Sequence, residues 1–150
     1  MHWGQAVKKP EPLPVDLLEV CIALESGDAG HRWYLDAENG ETILVTGEYD
    51  PEEYGNRTVE EVEGNPERYR RIPEMDGAHG LDDMRAFAVT CADLKLKESL
   101  EMALLAPRPE RRFRSVLGWL PETQKQWHAF RQTRIEQRAK AWLYEQGIAA

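Results

Sequence analysis

The sequence predicts a single α+β domain, in which a small antiparallel β-sheet built on one hairpin packs against about five α-helices. Three observations predict this class: an Asn-Gly turn between two short apolar segments, helical spacing of apolar residues elsewhere, and a length of 150 residues. A compact domain of this size buries roughly 70% of its unfolded surface. We therefore expect one domain over 15–150, preceded by a flexible, proline-rich lead-in over 1–14.

The first helix is predicted to run from Pro14 or Val15 to about Ser26. Asp16 is favourable in its first turn, and Gly27 ends it. Its apolar residues recur close to the 3.6-residue period: Leu17, Leu18, Cys21, Ile22 and Leu24. We expect one face of this helix to be buried.

A β-hairpin is the strongest local prediction. Segment 31–36 is rich in aromatic side chains, and segment 41–45 in aliphatic and β-branched ones. Between them, Asn39 and Gly40 tolerate the positive φ of a type I′ turn. Because two strands alone are marginally stable in water, we predict a third strand at 68–72.

The connection between the hairpin and the third strand, segment 47–67, is strongly acidic. Its acidic residues are Glu48, Asp50, Glu52, Glu53, Glu60, Glu61, Glu63 and Glu67. We interpret this segment as a solvated loop with one helical turn near 58–63. An acidic strip that docks a basic partner is the alternative.

Two helices are predicted after the third strand. The first begins at Leu81, with Asp82 or Asp83 in its N-terminal turn. Its apolar face is formed by Met84, Phe87, Ala88 and Cys91. Asp93 is expected to cap the second helix, over 94–105. One stripe of that helix carries Leu96, Leu100 and Leu104.

Two more helices are predicted near the C-terminus. One starts at Pro109 or Glu110 and ends near 118–121. Pro121 fits the first turn of the last helix, where the amide that proline lacks has no intrahelical partner, and Gly147 ends that helix. One broad face of the last helix combines aromatic and basic side chains: Trp127, Phe130, Arg131, Arg134, Ile135, Arg138 and Trp142.

Charge is distributed unevenly along the chain. From Pro107 onward there are nine Lys or Arg against four Asp or Glu, whereas residues 1–106 carry ten against twenty-three. The two net charges, +5 and −13, sum to −8 for the whole protein. We expect the basic end to dock on the acidic front part. The acidic balance argues against general nucleic-acid affinity, although a local basic face can still bind.

The candidate binding residues all follow Pro107, where arginines alternate with aromatic side chains. They are Arg111, Arg112, Arg114, Trp127, Phe130, Arg131, Arg134, Arg138 and Trp142. Three interpretations compete. The arginine stems can pack over aromatic rings while their heads pair with carboxylates, which is purely structural. The face can instead bind a partner protein, or it can bind nucleic acid.

The sequence lacks the patterns that mark common catalytic and metal sites. The histidines are scattered, and no phosphate-binding glycine loop, dinucleotide fingerprint or nucleophile elbow is present. We therefore assign no catalytic residue, no metal and no cofactor, and we expect a protein that is not an enzyme. The competing enzyme interpretation is metal-independent and uses carboxylates such as Asp82 and Asp83 in a cleft.

Location is predicted from apolar runs and cysteines. No run approaches the roughly 20 apolar residues of a membrane helix, and the N-terminus has no signal-peptide pattern. Cys21 and Cys91 lie within apolar helical patterns, which suits buried thiols in a reducing compartment. We expect a cytoplasmic protein without membrane association.

A series of short motifs extends over most of the chain. In order, they are Ala23-Leu24-Glu25, Tyr34-Leu35-Asp36, Asn39-Gly40-Glu41, Tyr69, Ile72-Pro73, Met84 with Phe87, Arg112-Phe113, Leu117, Trp127, Phe130-Arg131, Trp142-Leu143 and Gly147-Ile148. With these motifs the chain resembles the bacterial uncharacterised protein family zero-one-five-eight (UPF0158). The resemblance implies a bacterial, cytoplasmic protein with a shared α+β fold, and it brings no activity. The family tends to have an aromatic residue where this chain has Glu110.

These observations together favour a non-enzymatic interaction or regulatory module, with another protein as the expected partner. A nucleic-acid-binding module that uses the C-terminal arginines and aromatics is the alternative. The sequence leaves the ligand and the oligomeric state open.

Overall fold

The computed structural model describes residues 11–149. It is an α+β structure, as predicted, with a three-stranded antiparallel sheet and a second, two-stranded parallel sheet. In chain order its elements are β1 (Glu11–Pro12), α1 (Leu17–Glu25), β2 (Arg32–Asp36), β3 (Thr42–Val45), α2 (Val59–Gly64), β4 (Tyr69–Arg71), α3 (Gly77–Thr90), α4 (Leu94–Leu105), α5 (Pro109–Leu117), α6 (Pro121–Glu145) and β5 (Ile148–Ala149).

The described chain divides into two compact units. The sheet unit contains the described residues up to Glu74 together with those from Glu136 onward, and the helical unit is Met75–Ile135. Helix α6 therefore contributes residues to both. Whether the chain folds as the single domain predicted over 15–150 stays a prediction.

The predicted hairpin and third strand are confirmed in the sheet unit. β2 pairs antiparallel with β3 on one side and with β4 on the other, so that Tyr34 lies opposite both Ile43 and Arg71. The buried side chains of this sheet and of α2 form one apolar cluster: Tyr34, Ile43, Val45, Val62 and Tyr69. Thr58 caps α2 by accepting a hydrogen bond from the Glu61 amide, so the helical turn expected near 58–63 is also confirmed.

The predicted type I′ turn is wrong, because the hairpin loop has four residues. The Asp36 amide donates to the Glu41 carbonyl at 2.8 Å, and the Gly40 amide donates back to the Asp36 carbonyl at 2.8 Å. Gly40 has φ +83°, whereas Asn39 is not in the positive-φ region that a type I′ turn requires at both central positions. The Asp36 side chain accepts from the Glu38 amide and holds the loop in this wider form.

The end of the proline-rich lead-in is held by the C-terminus. The Glu11 amide donates to the Gly147 carbonyl at 3.0 Å, and the Leu13 amide donates to the Ala149 carbonyl at 3.1 Å. Gly147 has φ +77° directly after α6, so the predicted glycine stop is confirmed. The flexible lead-in expected over 1–14 is thus paired at 11–13, and its first ten residues lie outside the described chain.

Helix α3 begins four residues earlier than predicted. Asp76 accepts a hydrogen bond from the His79 amide, and the His79 side chain accepts one from the Asp76 amide, which completes a capping box. The placement of Asp82 or Asp83 in the first turn is therefore wrong, because this unrecognised cap moves both acids into the helix interior. The predicted Asp93 cap of α4 is confirmed. Inward side chains of α3 to α6 form the core of the helical unit: Met84, Phe87, Ala88, Leu100, Leu104, Phe113, Leu117 and Trp127.

Candidate functional site

The aromatic residues predicted to bind are packed inside the protein. Trp127 lies against Phe113 with ring centroids 5.0 Å apart and against Phe87 at 5.4 Å. Phe130 adds an edge contact to Phe87 at 5.4 Å and is half-buried. Trp142 is buried in the sheet unit. Their rings therefore fill cores and leave little face for a ligand to stack on.

The arginines of α6 on the same face are also engaged. The Arg134 Nε donates to Asp83 Oδ1 at 2.9 Å, and this carboxylate is almost fully buried. The Arg134 guanidinium also lies over the Phe130 ring, 5.9 Å from its centroid. Arg131 and Arg138 are half-buried and have interactions of their own. The structural interpretation of this face thus accounts for the α6 part of the predicted site.

The arginines of α5, unlike those of α6, are exposed. Helix α5 buries Phe113 and Leu117, and the three positions around Phe113 point Arg111, Arg112 and Arg114 to the solvent. Within residues 11–149, no carboxylate lies within ion-pair distance of these three guanidinium groups. Each arginine outside the segment 108–114 has an ion pair, a hydrogen bond or a ring contact: Arg32, Arg57, Arg68, Arg70, Arg71, Arg85, Arg131, Arg134 and Arg138.

A groove of about 700 Å³ runs between α4 and α5. Its lining residues are Ser99, Met102, Ala103, Ala106, Pro107, Arg108, Arg111, Arg112, Ser115 and Val116. The α4 side presents small and apolar side chains, whereas the α5 side presents guanidinium groups. The groove can therefore hold an elongated ligand that is apolar along one side and anionic along the other.

Arg108 belongs to this groove and was missed by sequence reasoning. It lies between two prolines, immediately before α5, and has φ +55°, a left-handed conformation that costs a non-glycine residue roughly 1–2 kcal/mol. Its side chain is exposed and caps no amide of the helix. The Pro-Arg-Pro sequence indicated a helix boundary, but nothing in it indicated that the guanidinium of Arg108 would line a groove.

Exposed apolar side chains of the helical unit were also missed. Met102 lines the groove, and Leu105 at the end of α4 is 89% exposed. Trp119, just beyond α5, is 88% exposed. Large exposed apolar residues are informative when they cluster near charged anchors, because Trp, Met and Arg are enriched at protein interfaces.

A second cluster of charges surrounds Asp36 in the sheet unit. Asp36 is fully buried and accepts from Arg68 Nε and Nη2 at 3.1 Å each, while Arg57 Nη2 lies 3.2 Å from its Oδ2. The hydrogen bond to Asp36 raises the pKa of Arg68 above its ordinary value. Because the Glu38 amide also donates to Asp36, the carboxylate is saturated and is a structural group.

The two cysteines are at least partly buried, and the two neighbouring acids of α3 are paired. Burial raises the pKa of the Cys21 thiol, with Glu136 and Glu25 adding to the effect, and burial followed by Asp93 raises that of Cys91. A raised pKa disfavours the nucleophilic thiolate. Asp82 pairs with Arg85 at 3.2 Å on the surface, and its neighbour Asp83 pairs with Arg134.

Residues 11–149 contain neither a metal-binding cluster nor a membrane-spanning helix. No group of three His, Cys, Asp or Glu in that range is arranged to hold a metal ion. Its helices include none with the length and apolar character needed to span a membrane.

Comparisons with known proteins give one consistent result. A protein of Pseudomonas aeruginosa, "UPF0158 protein PA5073", is 27% identical over 138 residues, which cover 91% of this chain and 86% of the relative. The comparison with solved structures found no match. The family model described as "Uncharacterised protein family (UPF0158)" matches residues 10–150. The chain therefore belongs to the UPF0158 family, as its motifs suggested.

Proposed function

We propose that this protein is a non-enzymatic interaction or regulatory module of the cytoplasm, and that it binds an acidic partner protein through α5 and the α4–α5 groove. The observation that carries the proposal is the separation of the arginines into two sets. Those of α6 are engaged within the protein, whereas Arg108, Arg111 and Arg112 surround a groove without a carboxylate partner among the described residues.

Unpaired guanidinium groups around an apolar groove support protein binding for an energetic reason. Arginine is weakly hydrated and forms bidentate hydrogen bonds with carboxylates, so it loses little on being covered by a partner. The exposed Met102 beside it supplies apolar area that a partner removes from water. The two free thiols, Cys21 and Cys91, support a reducing compartment.

Protein is favoured over nucleic acid as the partner because of where the aromatic rings lie. Binding of single strands uses exposed rings on which bases stack. Trp127, Phe130 and Trp142 are packed in cores, so they are poorly placed for that role.

Site-specific photo-crosslinking in the native host tests the proposal. A photoreactive phenylalanine derivative at Ser115, inside the groove, is expected to capture one or a few acidic proteins. The same group at the exposed Gln124 of α6, outside the groove, is expected to capture none of them. The double variant Arg111→Glu/Arg112→Glu should abolish capture from Ser115, because it replaces two attractive charges by two repulsive ones.

A matched charge reversal separates the groove from net charge. Lys125 and Lys140 are exposed basic residues of α6 that do not line the groove, so Lys125→Glu/Lys140→Glu changes the total charge equally. Capture should survive in this control. If both double variants abolish capture equally, or if Ser115 captures nucleic acid instead of protein, the proposal is wrong.

A further inference from the structure

The groove has two walls, one on the α4 side and one on the α5 side. The α4 wall is formed by Ser99, Met102, Ala103 and Ala106, and the α5 wall by Arg108, Arg111, Arg112 and Ser115. Ser99, Met102 and Ala103 lie at i, i+3 and i+4 on one face of α4, and Ala106 follows directly after that helix. Arg111, Arg112 and Ser115 belong to α5, whereas Arg108 precedes that helix in the left-handed conformation. The groove is therefore bordered by an apolar stripe on the α4 side and a basic stripe on the α5 side.

The α4 stripe permits close approach of another backbone. Ala103, Ala106 and Ser99 have small side chains, and Met102 beside them is flexible and exposed. Small residues leave room for the side chains of a helix laid into the groove, and methionine adapts its shape to different apolar partners. A groove of about 700 Å³ has the capacity for several such side chains.

The α5 stripe sets the charge of the ligand. Arg108, Arg111 and Arg112 are exposed and have no carboxylate partner within residues 11–149. Arg111 and Arg112 are neighbours on α5, and Arg108 precedes that helix. Carboxylates at i and i+3 or i+4 of a helix lie on one face, so a helix in the groove can direct several of them at this wall. A helix presents apolar and acidic side chains on adjacent faces, as the two walls require, whereas the side chains of an extended peptide alternate between opposite faces every residue.

We propose that the α4–α5 groove binds an acidic amphipathic α-helix of a partner protein. Apolar side chains of that helix, one turn apart, pack on Met102, Ala103 and Ala106. Acidic side chains on its flank pair with Arg108, Arg111 and Arg112. The inference rests on the proposed function and specifies the partner: a helix-in-groove complex with acidic flanks.

Selection from a displayed library of random peptides tests the inference. The peptides need about 14 residues, enough for four helical turns. The full-length protein is the bait, and peptides that also bind Arg111→Glu/Arg112→Glu are removed. The selected sequences are expected to carry apolar residues at i, i+3 or i+4, and i+7, with Glu or Asp on one flank.

The selected peptides are then synthesised and measured by fluorescence anisotropy. Ser99→Trp, which fills the groove from an exposed position, and Arg111→Glu/Arg112→Glu should each weaken binding at least tenfold. Lys125→Glu/Lys140→Glu should leave it within twofold. Circular dichroism of each variant checks that the fold is intact, and the peptide should gain helical signal when bound.

Three results would overturn the inference. They are a library that yields no groove-dependent peptide, selected peptides that are neutral or basic, and a labelled oligonucleotide that displaces the peptide from the arginines. Photo-crosslinking at Ser115 separates this failure from that of the proposed function. If Ser115 captures a protein through the groove but no helical acidic peptide is selected, only the inference of a helical ligand is refuted. If neither a protein is captured nor a peptide selected, both proposals are refuted.

Discussion

Helices α5 and α6 contain the same kinds of residue, arginines next to aromatic side chains, yet they use them in opposite ways. In α6, Arg134 holds the buried Asp83 carboxylate and Trp127 fills the core of the helical unit. In α5, Phe113 is buried but Arg111 and Arg112 extend into solvent beside a groove. Composition therefore shows which side chains could contact a ligand, whereas burial and pairing show which of them are already engaged within the protein.

The physical difference is the presence of a carboxylate partner. A guanidinium held by a buried acid cannot leave it without exposing an uncompensated charge to a low-dielectric interior. A guanidinium in water has no such constraint and can exchange solvent for a ligand. The comparison predicts large effects on stability in one helix and effects only on binding in the other.

The largest effect is expected for Trp127→Ala. Trp127 is buried among Phe87, Phe113 and Phe130, so truncation removes apolar contacts and leaves a cavity. The free energy of unfolding, measured by urea denaturation, should fall by about 4 kcal/mol. Trp119→Ala, at an exposed ring, is the control and should change it by less than about 0.5 kcal/mol. Equal losses would contradict the comparison.

The second-largest loss of stability is expected in the sheet unit, where a buried carboxylate also holds arginines. Asp36→Asn removes the buried charge that Arg57 and Arg68 share, and the free energy of unfolding should fall by about 3 kcal/mol. Glu38 also contacts Arg68 but is largely exposed, so Glu38→Gln should cost less than about 0.5 kcal/mol. A small loss for Asp36→Asn would show that the buried cluster does not stabilise the sheet unit.

A smaller loss is expected for Arg134→Gln. The Asp83 carboxylate loses its charged donor, but Arg134 is about one-third exposed, so solvent compensates in part. We expect about 2 kcal/mol in the free energy of unfolding. Arg114→Gln, at an exposed position of α5, is the matched change and should be neutral. The distinction between the two helices fails if both variants lose the same amount.

The smallest effect on stability, and the sharpest test of the comparison, is expected for Arg111→Gln/Arg112→Gln. The free energy of unfolding should stay within about 0.5 kcal/mol of the wild type, because neither side chain has a partner to lose among the described residues. Partner capture from Ser115 should nevertheless decrease strongly. A destabilised variant would mean that these arginines support the fold.

Local sequence signals predicted most elements of the fold. Asp93, Thr58, Pro121 and Gly147 each act through backbone geometry within a few residues, so their roles as caps and stops follow from residue type. The errors also have local causes. The Asp76–His79 capping box was overlooked, and the Asp36 side chain widened a loop that Asn-Gly alone would have closed more tightly.

The groove was not predicted, and whether the nine candidate residues bind a ligand stays a prediction. Arg111, Arg112 and Arg114 were identified and are exposed, whereas the six other candidates are at least half-buried. Arg108 and Met102 carried no signal, because lining a groove depends on how α4 and α5 pack.

The sequence by itself predicted the fold class, the order of the helices and of the three antiparallel strands, and membership of UPF0158, because helical periodicity, caps and turns depend on neighbouring residues. It did not predict β1 and β5, whose pairing joins residues far apart in the chain. Only the tertiary structure decided which arginines are engaged within the protein and which are exposed. Ion pairing depends on distances between residues far apart in the chain, such as the 2.9 Å between Arg134 and Asp83, and no local pattern encodes that distance.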